Sequence, residues 1–253
     1  MAKLPQAPLV EVIFEMRWDA NTLIDLQKYQ IVVGALSTAL GDRYEMPQAI
    51  LPVGAIPPQA LLDKVVYRAK QKSNKNMLYQ IGPGVVSVNY TGNQYDWNIY
   101  MPEVLAFIKQ FIETYKFNPE KQITIQLRYM DFFPKDASDD TMDFIKRYFN
   151  LNVGAAYIEH PQALGINCEE KKDCGLFRFA LNSGKKDAKI DGFVLESSIQ
   201  NTLNADAFSL VQASAFKEVL NNSHVFLSSF FKNITKGALY ESFKIEKGTK
   251  DEQ

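Results

Sequence analysis

Apolar residues occupy every second position from residue 10 to residue 18, which is the spacing of the buried face of a β-strand. The positions between them are mostly polar and include Glu11, Glu15 and Arg17. Residues 19–22 then supply side chains that cap helices, and apolar residues recur at helical spacing as far as Gly41. The chain is therefore predicted to open with a half-buried strand followed by a helix.

A three-stranded meander, a helix and a further strand are predicted next. The meander strands are predicted over 64–71, 77–81 and 85–91. Gly82-Pro83-Gly84 indicates a hairpin between the last two, because glycine adopts positive φ without steric cost. An amphipathic pattern predicts a helix over 101–117, and alternation predicts a strand over 122–133 with Leu127 and Tyr129 facing inward. This order is typical of a mostly antiparallel sheet with helices on one face.

The polar segment 134–140 begins with proline and marks the clearest boundary in the chain. Beyond it the pattern predicts a helix over 141–149, strands around 163–170, 176–181 and 192–198, and a long helix over 205–234. We therefore predict an α+β fold of two mostly antiparallel sheets backed by helices, with the long C-terminal helix packing centrally. The predicted subdomains are 1–135 and 136–246, followed by a frayed tail over 247–253.

Composition is that of a globular protein and argues against several classes of function. The net charge of −1 and the pI of about 6.2 give no overall field that would hold nucleic acid or an anionic membrane. The N-terminus lacks the pattern of a signal peptide, and no stretch approaches the roughly 18 apolar residues of a membrane span. We therefore expect a bacterial, cytoplasmic protein that does not contact membranes.

Residues that could carry catalysis are scarce. The chain has two histidines, His160 and His224, and neither stands at a spacing that pairs it with a nucleophile. His224 falls near the apolar stripe of the long helix, which predicts a structural imidazole that hydrogen-bonds across a packing seam. Cys168 and Cys174 are too few for a structural metal site and are predicted to be free thiols. The sequence therefore favours a protein without catalytic residues, cofactor or metal over an enzyme.

One cluster of charged residues is predicted where the first strand can pair with the strand over 122–133. Arg128 lies on the polar face of that strand, and pairing would bring it within reach of Glu11 or Glu15, with Arg17 nearby. Two carboxylates beside an arginine can form an acid/base or phosphate site, although such groups more often form a solvated or interface cluster of ion pairs. The sequence leaves both interpretations open.

The meander carries the only marked charge asymmetry, because no acidic residue occurs along it. Arg68, Lys70 and Lys72 share one face of its first strand, and Tyr95 and Trp97 follow its last strand. Cations beside aromatic rings are typical of sites for nucleotides or single-stranded nucleic acid. The simpler interpretation, which we favour, is a solvated edge strand protected by its lysines, with the aromatic residues buried on the other side.

Three stretches far apart in the chain carry a resemblance to known proteins. They are Leu4-Pro5-Gln6-Ala7-Pro8-Leu9-Val10-Glu11-Val12, Leu127-Arg128-Tyr129-Met130-Asp131, and Ser223-His224-Val225-Phe226 running on to Phe231, Ile234 and Thr235. Together with Ile81-Gly82-Pro83-Gly84-Val85, they make the chain similar to a sporadically distributed family of uncharacterised prokaryotic proteins of about this length. The resemblance implies no reaction, cofactor or catalytic residue.

We therefore expect a non-enzymatic binding or interaction protein, with a protein partner or self-association. The patchy occurrence of the family implies accessory genes of mobile elements, phage defence or toxin–antitoxin loci. The alternative is an enzyme or sensor acting on a nucleotide or phosphorylated ligand, or a nucleic-acid-binding module that uses the basic meander. The candidate ligand-binding residues are Glu11, Glu15, Arg17, Arg68, Lys70, Lys72 and Arg128.

Overall fold

The structure is a computed structural model that describes residues 4–20, 23–92, 94–154, 159–208, 213–235 and 237–245. Within these residues the chain forms nine β-strands and five α-helices. In order they are β1 (Leu9–Trp18), α1 (Leu23–Ala39), β2 (Gln48–Ala49), β3 (Tyr67–Lys70), β4 (Met77–Gly82), β5 (Val85–Thr91), α2 (Trp97–Tyr115), β6 (Gln122–Pro134), α3 (Thr141–Tyr148), β7 (Gly165–Lys172), β8 (Gly175–Lys186), β9 (Ile190–Asn204), α4 (Ala213–Ile234) and α5 (Gly237–Ser242).

The nine strands form a single antiparallel sheet in the order β2-β3-β4-β5-β1-β6-β9-β8-β7. The mixture of helices with an antiparallel sheet is as predicted, but the expectation of two sheets is corrected to one. The two meanders are joined because β1 and β6 pair with each other at the centre, where Phe14 lies opposite Leu127. Each central strand also pairs with its own meander, β1 with β5 and β6 with β9. The sheet is therefore continuous from edge to edge.

One arrangement occurs twice in the fold. Residues 9–115 run through a strand, a helix, a meander and a helix, and residues 122–234 follow the same order. In each half the first strand pairs with the last strand of the meander. The repeat divides between α2 and β6, whereas the boundary expected after residue 135 follows β6, a strand that pairs with both halves.

The five α-helices pack on one face of the sheet. Phe14 of β1 and Leu127 of β6 belong to the main hydrophobic core together with Leu36 of α1, Phe107 of α2 and Leu227 of α4. A second cluster lies toward the C-terminal edge and includes Phe133, Phe144, Phe193, Leu195 and Phe243. We call the opposite surface of the sheet the open face, because the side chains there point away from both clusters.

The long C-terminal helix is shorter than the sequence pattern suggests. Residues 205–208 form a 3₁₀ turn, and α4 then runs over Ala213–Ile234 against β6 and β9, close to the centre of the sheet. Residues 209–212 of the predicted helix and the predicted tail over 247–253 lie outside the described residues. None of the described helices combines the length and the apolar composition of a membrane span.

The two edges of the sheet differ in length and in charge. β2 contributes two residues at one edge. β7 contributes eight at the other edge, where four consecutive charged residues occupy 169–172 and most side chains are exposed. Both edges therefore end the sheet with residues that contribute little to its core.

A buried tyrosine hydroxyl bridges two strands near the centre of the sheet. Tyr100 of α2 is fully buried, and its hydroxyl accepts a hydrogen bond from the amide of Phe14 and donates one to the carbonyl of Val88, each at 2.7 Å. Phe14 and Val88 are opposite each other in the register of β1 and β5. The side chain from the helix thus completes the backbone hydrogen bonding of the sheet.

Replacing Gly82 with alanine should destabilise the protein by about 1–3 kcal/mol. A Cβ atom at the end of β4 would overlap the backbone carbonyl of Lys64, which cannot move without shifting its own segment. Gly34→Ala in α1 is the matched control, because a Cβ there meets no atom within 4 Å, and it should stabilise the helix by about 0.5–1 kcal/mol. Urea unfolding of both variants measures the two effects, and equal midpoints would contradict the expectation.

Candidate functional site

A cavity of about 370 Å³ lies beneath α4, on the face of the sheet that the helices cover. Its wall is built from the N-terminal segment, the start of α2, the strands β6 and β9, and the helices α4 and α5. The residues that line it are Leu4, Ala7, Leu9, Tyr95, Asp96, Trp97, Asn98, Tyr129, Asp131, Ser197, His224, Leu227, Ser228, Phe231 and Tyr240. Both halves of the fold therefore contribute to it. We call it the α4 cavity.

One wall of the α4 cavity is a stacked pair of rings from two helices. The imidazole of His224 lies parallel to the indole of Trp97, with ring centroids 4.1 Å apart and an interplanar angle of 7°. Trp97 is the first residue of α2, and the N-cap Asp96 fixes that end by accepting a hydrogen bond from the amide of Asn98 at 2.8 Å. The indole also donates to Asn221 of α4 at 3.3 Å. The start of α2 is thus fastened to the middle of α4.

A chain of hydrogen bonds continues from His224 into the cavity. The hydroxyl of Tyr129 lies 2.7 Å from Nδ1 of His224 and 2.8 Å from the hydroxyl of Tyr95. Burial lowers the pKa of His224 to about 4 and raises the pKa values of Tyr95 and Tyr129 well above their ordinary value of 10. All three groups are therefore neutral near pH 7, and Tyr129 can donate to the imidazole while it accepts from Tyr95.

The floor of the cavity holds a buried acid. Asp131 follows Tyr129 by two residues on the same face of β6, and its side chain is 4% exposed. Its neighbours in register, Leu9 on β1 and Leu195 on β9, are apolar and offer no donor. Its carboxyl group forms no hydrogen bond or ion pair with any described residue. Burial consequently raises its pKa from 3.8 to about 7.

The residues predicted as a site from sequence lie elsewhere, on the open face or at its margin. Glu15 accepts a 2.6 Å hydrogen bond from Arg17, which raises the pKa of that guanidinium, and Glu11 accepts one from Asn89 at 2.7 Å. The predicted pairing of the two strands is confirmed, since Arg128 lies opposite Ile13 between the two acids. The predicted ion pair is wrong, because Arg128 instead bonds Glu196 of β9 at 3.3 Å.

The basic residues of the meander do not join this cluster. Arg68 and Lys70 stand on β3, four strands from β6 in the sheet, a separation of ~19 Å from Arg128. In the orientation of the Gln80 amide that satisfies both its oxygen and its nitrogen, the oxygen accepts hydrogen bonds from Arg68. Lys72 donates to the carbonyl of Gly41 at 2.6 Å. The seven predicted residues therefore spread along the open face and do not form one pocket.

Tyr95 and Trp97 would stand beside the basic strand if the meander formed a nucleotide site, but they belong to the α4 cavity. This agrees with the favoured interpretation, in which the aromatic residues lie on the other side of the sheet. After β5 the chain crosses to the helix-covered face, so both rings lie on the side of the sheet away from Arg68 and Lys70.

A shallower depression of about 410 Å³ lies on the open face between Gln126, Glu169, Arg178 and Glu196. Its arginine is already bonded to Glu169 and, at 2.7 Å, to Gln200. We regard the α4 cavity as the candidate site, because it alone of the two contains a buried charged group without a partner.

Cysteine and metal chemistry find no support in the described geometry. Cys168 lies exposed on β7, Cys174 lies in the turn before β8, and both are free thiols. Across the described ranges, no three His, Cys, Asp or Glu side chains come together as a set of metal ligands. The cavity contains one histidine and two aspartates, of which Asp96 is committed to the helix cap.

Replacing His224 with phenylalanine should change the response of stability to acid. The pKa of His224 is lower in the folded protein than the 6.5 of the unfolded chain, so its contribution is complete above pH 6.5 and is lost as the pH falls through about 4. Phenylalanine keeps a ring against Trp97 and does not titrate. The free energy of unfolding is measured for both proteins at pH 7.5 and at pH 4.5. Wild type should lose more stability than the variant between these two values, because only wild type carries the titrating imidazole. Parallel pH profiles would contradict the lowered pKa.

Comparison with known protein families, with curated proteins and with solved structures gives no match. The site must therefore be interpreted from its own chemistry. The three stretches that carry the sequence resemblance meet at the α4 cavity, which they line through Leu4, Ala7 and Leu9, through Tyr129 and Asp131, and through His224 and Phe231. Their convergence is visible only in the structure, and the sequence patterns pointed instead to charged residues that lie on the open face.

Proposed function

We propose that this chain is a cytoplasmic, non-enzymatic binding protein that holds a small organic ligand in the α4 cavity. The observation that carries the proposal is the carboxyl group of Asp131, a residue only 4% exposed that lines the cavity and has no hydrogen-bond or ion-pair partner among the described residues. Buried polar groups in folded proteins are almost always hydrogen-bonded, and leaving one unpaired destabilises the fold. A ligand that supplies the missing partner explains why an aspartate is placed there.

Size and lining support the same function. A volume of about 370 Å³ falls within the range of roughly 300–1,000 Å³ that is usual for small-molecule sites. Aromatic and aliphatic side chains form most of the wall, and a few polar groups converge from different elements. This combination is typical of pockets in which apolar surface supplies affinity and a few polar contacts fix the orientation of the ligand.

The chemistry of the cavity argues against the alternative of a nucleotide or phosphorylated ligand. None of the described residues that line it is lysine or arginine, and both of its charged side chains are acidic. A phosphate group placed there would face Asp96 and Asp131 without a compensating cation. A catalytic role for His224 is also disfavoured, because the hydroxyl of Ser228 lies 3.4 Å from Nδ1, farther than a nucleophile–base pair requires, while Tyr129 holds that nitrogen at 2.7 Å.

A partner protein or self-association, expected from the sequence, is compatible with this proposal. A protein that senses a small molecule commonly transmits the signal through a second surface, and the open face offers one rich in amides and charges. The setting that the resemblance implies, an accessory locus of a mobile element, phage defence or a toxin–antitoxin pair, would use such a sensor.

A fragment screen with paired variants tests the proposal. Binding to the full chain is followed by thermal shift and by the fluorescence of Trp97, with Trp97→Phe identifying the signal that comes from the cavity. Ser228→Phe places a ring into the cavity from the partly buried face of α4, and Ser229→Phe adds the same bulk one residue later, outside the lining. Genuine ligands should bind wild type and Ser229→Phe but not Ser228→Phe. The proposal fails if no compound binds or if every hit binds both variants equally.

A further inference from the structure

We propose that the ligand of the α4 cavity is a protonated amine with an apolar body, and that its ammonium group pairs with the carboxylate of Asp131. This inference rests on the proposed function and specifies the class of molecule that the cavity accepts. It follows from the position of the acid, from the charge balance of the lining and from the kind of surface that surrounds it.

The position of Asp131 leaves its carboxylate available to a ligand and to little else. Leu9 and Leu195 flank it in register, and Tyr129 and Phe133 are its neighbours along the same face of β6. None of these four side chains carries a positive charge. Asp131 nevertheless lines the cavity, so an ammonium group that enters can reach it directly.

The charge balance of the lining favours a cation. The titratable side chains that line the cavity come from each element around it: Tyr95 and Asp96 before and at the start of α2, Tyr129 and Asp131 on β6, His224 on α4 and Tyr240 on α5. His224 is the only base among them, and burial keeps it neutral near pH 7. When Asp131 ionises, no described lining residue supplies the opposite charge. A ligand with a positive charge would complete the pair.

The surrounding surface suits an ammonium group attached to a hydrocarbon body. Trp97, Tyr129, Phe231 and Tyr240 line the same cavity as the acid. Aromatic rings stabilise cations through their negative faces, and Trp and Tyr do so most strongly. Leu4, Leu9 and Leu227 supply aliphatic surface for the remainder of the molecule. A carboxylate beside aromatic rings is therefore matched to an amine better than to a neutral or anionic compound of the same shape.

Binding of such an amine should depend on pH in a defined direction. The pKa of Asp131 is about 7 in the unliganded protein, so the carboxylate that pairs with the ammonium becomes available as the pH rises from about 6 to about 8. Alkylamines stay protonated over that range. Affinity should therefore increase with pH, and amine binding should release a proton from the protein.

Three matched probes test the class of ligand: 2-phenylethylamine, 2-phenylethanol and 3-phenylpropanoate, titrated calorimetrically into the full chain at pH 8. We expect the amine to bind about tenfold or more tightly than the alcohol, since an ionic hydrogen bond is roughly twice as strong as a neutral one, and we expect no binding of the acid. The affinity of the protein for 2-phenylethylamine should fall about tenfold when the pH is lowered from 8 to 6. A panel of larger primary and quaternary amines extends the series if the first amine is too small.

Two variants assign the effect to the cavity. Asp131→Asn should lose about tenfold or more of the affinity for the amine and keep the weaker affinity for the alcohol. Ser228→Phe should abolish both. Any of three results overturns the inference. The alcohol or the carboxylic acid binds as tightly as the amine, the Asp131→Asn variant keeps the full affinity for the amine, or no amine of the panel binds. Those results leave the proposed function standing if other compounds bind in a manner that Ser228→Phe blocks; if none does, the proposed function fails as well.

Discussion

Replacing Asp131 with asparagine should raise the free energy of unfolding at pH 8 by about 2–4 kcal/mol. The pKa of this acid is about 7 in the folded protein and 3.8 in the unfolded chain, so the folded protein holds the proton more strongly. The stability that the proton contributes is complete at low pH and is lost as the pH rises from about 4 through about 7. Asparagine has a similar shape and stays neutral, and the variant therefore does not lose that stability.

The pH dependence distinguishes this effect from a general change in packing. Wild type and Asp131→Asn should have similar free energies of unfolding near pH 4 and diverge steadily up to pH 8, in urea titrations at intermediate steps. Asp136→Asn is the control, because that acid is exposed in the loop after β6 and should shift stability by less than about 0.5 kcal/mol at either pH. An equal effect of Asp131→Asn at pH 4 and pH 8 would mean that the carboxyl does not titrate between them.

Removing the hydroxyl of Tyr100 should cost about 2–5 kcal/mol, because two buried backbone groups lose their partner at once. The amide of Phe14 and the carbonyl of Val88 both bond this hydroxyl, and all three residues are fully buried. Tyr100→Phe keeps the ring and removes only the bridge between β1 and β5. The loss is measured by urea unfolding at pH 7.

Tyr79→Phe is the matched control for this effect. Tyr79 is also fully buried, but its hydroxyl has no hydrogen-bond partner among the described residues. Removing an unpaired buried hydroxyl should be neutral or slightly stabilising, since no bond is lost and a desolvated polar atom disappears. If the two tyrosine variants lost the same stability, the hydroxyl bridge would not account for the effect at Tyr100.

Local patterns in the sequence were sufficient for the elements that alternate or repeat regularly. The strands β1 and β6 follow from apolar residues at every second position, and α2 follows from its amphipathic spacing. The single sheet could not be predicted in this way. It depends on β1 pairing with β6, more than 100 residues later, and the pattern within a strand does not say which other strand lies beside it.

The candidate site was missed for a related reason. Charged residues on the polar faces of strands attract attention as ligand groups, yet Arg17 and Arg128 are paired with acids on the open face. The informative residue was an acid on an apolar face. The alternation that places Leu127 and Tyr129 inward also places Asp131 inward. Burying a carboxylate there costs free energy of folding unless a hydrogen bond or an opposite charge compensates it. His224 and Trp97 joined it only through the packing of α4 on α2, which the sequence does not specify.

The two ends of the sheet determine how a second molecule can approach it. An exposed strand edge is a template on which another chain can add a strand and start aggregation. At one end the template is only two residues long, and at the other it carries Glu169, Glu170, Lys171 and Lys172 in succession. Strand addition at either end would gain few backbone hydrogen bonds or would have to desolvate charges. Both edges therefore disfavour strand addition, and the nine-stranded sheet resists growth into fibrils.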